Sequence, residues 1–167
     1  MALRFRSGAR VIFTLWLAGL AAITAQAQTR PDFSGSWTFD RARSAEPWNG
    51  RIVIAAILGD QCDATQDATS LKLAITVGGQ KVPAVYNFDG ESRNLSPGDI
   101  PVTSRTSWDG PRLVIVSTSA AVVKGRNVTI ETRRVMSLDG AGNLIIERTG
   151  TPASEVTSSR SVYTRAR

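Results

Sequence analysis

The chain has 167 residues, with 20 basic and 14 acidic side chains and no histidine. The absence of histidine removes the most common general base and the imidazole ligands of metal sites, and most acids lie in turn motifs, so we expect no enzyme and no catalytic residue. The charges alternate in sign and form no basic run. We therefore expect no nucleic-acid partner. We also expect no bound metal and no cofactor.

The first 27 residues have the pattern of an export signal. Three arginines and no acid precede an apolar run at residues 11–23, which is shorter than the roughly 20 residues that a membrane span needs. Ala25-Gln26-Ala27 then supplies the small residues of a cleavage site. We predict cleavage near Ala27, with an uncleaved anchor as the alternative. Residues 28–167 would then form one periplasmic or extracellular domain without a stable membrane span.

Two strands are predicted near the start of this domain. Residues 33–40 place apolar or small side chains at every second position, which is typical of a half-buried strand. Residues 51–58 form an apolar, β-branched run that also favours a strand. The residues between them, 41–50, could hold one short helical turn.

From residue 70 onward, apolar side chains again occupy alternate positions. Gly78-Gly79 and three Asp-Gly pairs, at 89–90, 109–110 and 139–140, predict tight turns between neighbouring strands. Residues 94–101 contain two prolines and a glycine and are predicted to form a loop. The predicted strands of this region are residues 71–77, 82–88, 102–108, 112–119, 127–138, 144–146 and 161–165.

These elements predict an all-β fold of eight or nine antiparallel strands in up-and-down order. The architecture is therefore a closed barrel or a sandwich of two sheets. We favour the barrel because pairing the first strand with the last removes both exposed edges of the sheet.

A short motif opens the domain. The run from Asp32 to Trp37, Asp-Phe-Ser-Gly-Ser-Trp, resembles the first strand of a group of uncharacterised exported bacterial proteins, which begins Asp-Phe-Ser-Gly-x-Trp. Gly35 and Trp37, together with Arg165 on the last strand, also resemble the signature of lipocalins and the wider calycins. That resemblance implies that Trp37 closes one end of a barrel and that Arg165 packs over its ring in a structural role.

One stretch before residue 70 carries polar candidates for chemistry. Asp60, Asp63 and Asp67 fall in one predicted loop and could bind a hard cation such as calcium, but their spacing matches no known loop, and we favour a solvated acidic loop. Cys62, the only cysteine, lies among acids that should raise its pKa. We expect an unreactive thiol there.

The strand at 127–138 contains a conflict of register. Strict alternation places Arg134 on the same face as Ile130 and Met136, and a buried guanidinium must be paired or must contact a ligand. We favour a bulge near Arg133 that turns Arg134 outward. If Arg134 instead points inward, it would line a pocket for a small amphipathic or anionic ligand together with Tyr86 and Trp108.

Two functions are compatible with these predictions. The first is a non-catalytic periplasmic or secreted protein whose barrel holds one small apolar or amphipathic ligand. The alternative is a structural or interaction module of the cell envelope whose barrel is filled by its own side chains. The inward side chains that could fill it are Leu71, Leu73, Ile75, Val82, Tyr86, Phe88, Trp108, Leu113, Ile115, Ile130 and Leu144. A polar-lined void of roughly a few hundred Å³ would favour the binding protein.

Overall fold

The computed structural model describes residues 30–44, 58–96, 99–123, 125–150 and 157–166. The predicted export signal at 1–27 lies outside these residues, as does nearly all of the strand predicted at 51–58. Among the described residues, no helix is long and apolar enough to span a bilayer.

The described residues form ten antiparallel strands and one 3-10 turn at Arg41–Arg43. The strands are β1 (Gly35–Phe39), β2 (Gln61–Gln66), β3 (Ser70–Val77), β4 (Gln80–Asn87), β5 (Glu91–Ser96), β6 (Ile100–Asp109), β7 (Arg112–Val123), β8 (Arg126–Leu138), β9 (Leu144–Gly150) and β10 (Thr157–Arg165). The all-β, up-and-down fold class is confirmed, with ten strands rather than eight or nine.

The strands form one sheet in the order β4-β3-β2-β1-β10-β9-β8-β7-β6-β5. The first and last strands pair as predicted, with Trp37 opposite Arg165 and Phe39 opposite Tyr163. The sheet is therefore a nearly closed barrel and not a sandwich. Its two ends are β4 and β5, which follow each other in the chain and are joined by a short turn at residues 88–90.

Two strands occupy segments that the sequence placed in loops. β2 turns Cys62 and Ala64 inward and polar residues outward, and β5 turns Ser92 inward, where it is 4% exposed. Because these inward side chains are small or polar, neither strand shows the apolar alternation on which the prediction depended. The loop predicted at 94–101 was wrong at both of its ends, since β5 runs to Ser96 and β6 begins at Ile100.

The bulge predicted near Arg133 is absent. β7 and β8 pair without interruption from Leu113 opposite Met136 to the turn at residue 125. Alternation is therefore strict along β8, and Arg134 faces the interior of the barrel. That favoured prediction was wrong because Arg134 finds hydrogen-bond acceptors inside the barrel and needs no change of register to reach them.

One end of the barrel is filled by its own side chains. Fully buried residues of this filled end include Leu71, Leu113, Met136, Leu144 and Ile146. Burying a large aliphatic side chain contributes about 1.5 to 3 kcal/mol to folding. The filled end therefore supplies much of the apolar burial that holds the strands together.

Trp37 and Arg165 close this filled end. The Trp37 indole is 1% exposed, and its Nε1 donates to the carbonyl oxygen of Phe33 at 2.9 Å. The Arg165 guanidinium lies 4.6 Å from the Trp37 ring centroid and donates through Nη1 to the carbonyl oxygen of Ser34 at 2.8 Å. Gly35 has a φ of +134°, and a Cβ there would lie 2.5 Å from Arg165 Nη1. A glycine at this position thus lets the guanidinium approach the backbone.

Candidate ligand site

A cavity of about 310 Å³ lies inside the barrel, beyond the filled end. It is next to the turns that join β3 to β4 and β7 to β8, and inward side chains of β3 to β9 form its wall. The apolar part of the wall includes Ile75, Val82, Ala84, Val102 and Ile130. Four residues that the sequence proposed as barrel filling, Ile75, Val82, Tyr86 and Ile130, therefore line a space instead of closing it.

Small hydroxyl side chains form the polar part of the interior. Ser92, Ser104, Thr106 and Ser117 are each less than 5% exposed. The hydroxyls of Ser104 and Ser117 share a hydrogen bond of 2.8 Å, whereas Thr106 Oγ1 has no partner among the described residues. Serine in place of leucine or isoleucine leaves space in the barrel and adds hydrogen-bonding groups.

Arg134 extends from β8 into this cavity. Its Nη1 donates to the hydroxyl of Tyr86 at 3.0 Å, and its Nη2 donates to Ser117 Oγ at 3.5 Å. The guanidinium carbon also lies 5.9 Å from the Tyr86 ring centroid. Both acceptors are neutral, no acidic residue lines the cavity, and Arg134 makes no ion pair within the part of the chain that the structure describes.

Arg148 contributes a second guanidinium to the same wall. It lies on β9 directly opposite Arg134, and it also lines the cavity. The prediction ended this strand at residue 146 and so missed Arg148. Continuing the alternation of Leu144 and Ile146 by one step would have placed it on the inward face.

Of the three residues predicted to form a pocket, the structure brings together Arg134 and Tyr86 but not Trp108. Trp108 lies one residue from the end of β6, at the filled end. Its ring stacks on Phe33 at 6.0 Å and meets Phe88 edge-on at 5.3 Å between centroids. Trp108 therefore packs in the aromatic cluster of the filled end, beside the β6–β7 turn.

Of the three aspartates considered for a cation, Asp63 lies within β2, and Asp60 and Asp67 adjoin its two ends. Asp63 accepts from Ser36 Oγ at 2.7 Å and from Lys81 Nζ at 3.0 Å. Asp67, which directly follows the last residue of β2, accepts from the backbone N–H of Thr69 at 2.8 Å. Within the described ranges, no three acidic or cysteine side chains are grouped as metal ligands. These carboxylates instead hold strands and turns in place.

Cys62 is a buried residue of β2, and not the loop residue that the sequence suggested. Burial is the main cause that raises the pKa of its thiol to about 12, and the charge of Asp63 adds to this. The thiol is consequently protonated at neutral pH and is a weak nucleophile.

Comparisons with known proteins bear on the barrel as a whole. No protein-family model and no curated protein sequence matches the chain. Among solved structures, the crystal structure of the zebrafish ileal bile acid-binding protein complexed with cholic acid superposes with a TM-score of 0.58. The chain has a calycin-like fold. The match covers 80% of this chain and 98% of the zebrafish protein at 16% sequence identity. At that identity the structural similarity shows the fold alone. What this chain binds must be inferred from its own cavity.

Proposed function

We propose that the chain is a non-catalytic binding protein whose barrel holds one small amphipathic anion. The anionic group would contact the guanidinium of Arg134, and the apolar body of the ligand would lie against Ile75, Val82 and Ile130. The observation that carries this proposal is a guanidinium in an interior cavity that no acidic residue lines.

The electrostatics of Arg134 favour an anion over a neutral ligand. Removing a guanidinium from water is unfavourable unless its charge is paired or fully hydrogen-bonded. The hydroxyls of Tyr86 and Ser117 accept hydrogen bonds but carry no charge. A carboxylate, sulfonate or phosphate would make charge-assisted hydrogen bonds, which are about twice as strong as neutral ones.

The volume of the cavity sets the scale of the ligand. At about 310 Å³, this space lies at the lower end of the range of roughly 300 to 1,000 Å³ that pockets for small organic ligands span. The zebrafish protein of similar fold is complexed with cholic acid, so a small organic acid is a ligand known for a protein of this architecture. By the same measure, the filled envelope module is disfavoured, because the side chains proposed as its filling leave this space open.

The pattern of residues 1–27 supports export of the binding protein to the periplasm or the medium. In that setting it would carry or sense a small molecule outside the cytoplasm. Mature protein recovered from the envelope fraction of its host should show, in native mass spectrometry, an added mass that denaturation releases. A bare mass that persists after incubation with host lipid and metabolite extracts would favour the envelope module.

A direct test uses a fluorescent probe, 8-anilinonaphthalene-1-sulfonate, titrated into the mature protein. Arg134→Gln should weaken probe binding by roughly tenfold to a hundredfold, because it removes a charged hydrogen-bond donor. Arg133→Gln is the matched control, since Arg133 is the exposed neighbour on the other face of β8. The uncharged probe N-phenyl-1-naphthylamine should bind wild-type protein and Arg134→Gln equally.

Two results would overturn the proposal. One is wild-type protein that binds neither probe. The other is an equal loss of sulfonate binding in Arg133→Gln and Arg134→Gln, because the effect would then follow net charge and not the cavity. Circular dichroism of each variant establishes that the barrel is intact.

A further inference from the structure

The barrel has a gap between β4 and β5. These strands are the two ends of the sheet, and no backbone ladder joins them within the described residues. Val85 and Asn87 direct their N–H groups toward β5, and Pro83 shares their parity. Because proline has no N–H, β4 cannot continue a regular ladder toward β5 at Pro83. The gap is thus encoded in the sequence.

Side chains of β5 bridge the part of this gap that is nearer the filled end. The amide of Asn94 accepts from the N–H of Val85 at 2.8 Å through Oδ1 and donates to its carbonyl oxygen at 2.9 Å through Nδ2. Nearer the filled end, Ser92 Oγ accepts from the N–H of Asn87 at 2.7 Å. Asn94 therefore takes the place of a paired strand residue. Between Asn94 and the β3–β4 turn, the described parts of β4 and β5 share no hydrogen bond.

The gap lies between the outside of the barrel and its interior cavity. A cleft of about 670 Å³ is lined by outward residues such as Pro83 and Leu95. It is also lined by Val82, Ala84, Asn94, Ser96 and Val102, all of which line the interior cavity as well. We call this cleft between β4 and β5 the lateral slot. The two spaces therefore share part of their walls at the slot.

Most of the outer border of the lateral slot is apolar, and the charged residues Lys81, Arg93 and Asp99 line it as well. Five large hydrophobic side chains are exposed among the described residues, and three of them, Val77, Val85 and Leu95, line the slot. Leu95 is 54% exposed. Apolar side chains at the border of an opening favour the passage of an apolar body, which would otherwise cross a polar rim.

We propose that the ligand enters and leaves the barrel through the lateral slot, and that the Asn94 bridge limits how fast it does so. This inference rests on the proposed binding function and adds the route and a residue that controls the rate. Opening requires the two hydrogen bonds between Asn94 and Val85 to break, while the ladders of all ten strands stay in place. The apolar body then passes between Pro83 and Leu95 toward Val82 and Arg134.

Stopped-flow fluorescence with 8-anilinonaphthalene-1-sulfonate tests the route. Val85→Trp places an indole on the outer border of the slot and should slow both association and release by roughly tenfold, with an unchanged dissociation constant. Val122→Trp is the matched control, because Val122 is an outward valine of β7, 70% exposed and away from the slot. Asn94→Ala should raise both rates, and Leu95→Trp is a second obstruction should Val85→Trp fail to fold.

Each outcome bears on the route. Slower exchange in Val85→Trp or Leu95→Trp, with wild-type rates in Val122→Trp, supports the lateral slot. Wild-type rates in both slot variants, or slower exchange in Val122→Trp alone, would overturn it. If those rates are unchanged while Arg134→Gln still weakens probe binding, the route fails and the binding function stands. If wild-type protein binds no probe, both fail.

Discussion

Replacing Arg165 with alanine should lower the free energy of unfolding by about 1.5 to 2 kcal/mol. The guanidinium lies 4.6 Å from the Trp37 ring centroid, and a cation–π contact at a partly exposed site contributes roughly 0.5 to 1 kcal/mol. Its hydrogen bond to the carbonyl oxygen of Ser34 contributes about 1 kcal/mol more. The loss would also admit water to the face of an indole that is now 1% exposed.

Equilibrium urea unfolding followed by tryptophan fluorescence measures this effect. Arg165→Lys should give an intermediate loss, because an ammonium group keeps the charge but not the planar stacking surface. Arg105→Ala, at an exposed position of β6, should change the free energy of unfolding by less than about 0.5 kcal/mol. If Arg165→Ala were no more destabilising than Arg105→Ala, the role of Arg165 in closing the barrel end would be refuted.

Two further predictions concern backbone and pH. A Cβ on Gly59 would lie 2.0 Å from the carbonyl oxygen of Thr76, whereas one on Gly78 meets nothing, and both residues have positive φ. Gly78→Ala should therefore lower the free energy of unfolding, measured in urea, by about 1 kcal/mol, and Gly59→Ala should lower it by about 3 kcal/mol or more. Equal losses in the two variants would contradict the steric argument. Backbone N–H donation from Thr69 is the main cause that lowers the pKa of Asp67. The ionised form of Asp67 therefore stabilises the fold above about pH 4, and this contribution is lost as the pH falls further. Asp67→Asn should accordingly be less stable than wild type at pH 7, with a difference that shrinks toward pH 2 in thermal unfolding. A difference that stayed constant with pH would count against this account.

Much of the fold could be predicted because apolar alternation marks strands that face a core. β3, β7 and β8 carry leucine, isoleucine or valine at inward positions, and the sequence identified each of them. The pairing of Trp37 with Arg165 also agrees with the expected closure of the barrel by its first and last strands.

The candidate site was less predictable for a physical reason. The wall of a cavity that binds a polar group carries polar inward residues, and these give no hydropathy signal. β5 was therefore not predicted, because Ser92 and Asn94 are its inward residues. The strand β9 was predicted too short, because Arg148 follows Ile146 on its inward face. The bulge predicted near Arg133 has the same origin, because a charged side chain is atypical of an inward strand face, whereas Arg134 finds hydrogen-bond acceptors there.

The first and last strands meet in the middle of the sheet, while the sheet ends at two strands that are consecutive in the middle of the chain. A circular permutant that begins at β5, ends at β4 and links the present termini would have strands in the same order along the chain as across the sheet. The pairing of β1 with β10, now the contact of greatest sequence separation, would become local. Because local contacts form faster than distant ones, such a permutant should fold faster than the natural chain. It would do so without breaking a single backbone ladder between the described strands.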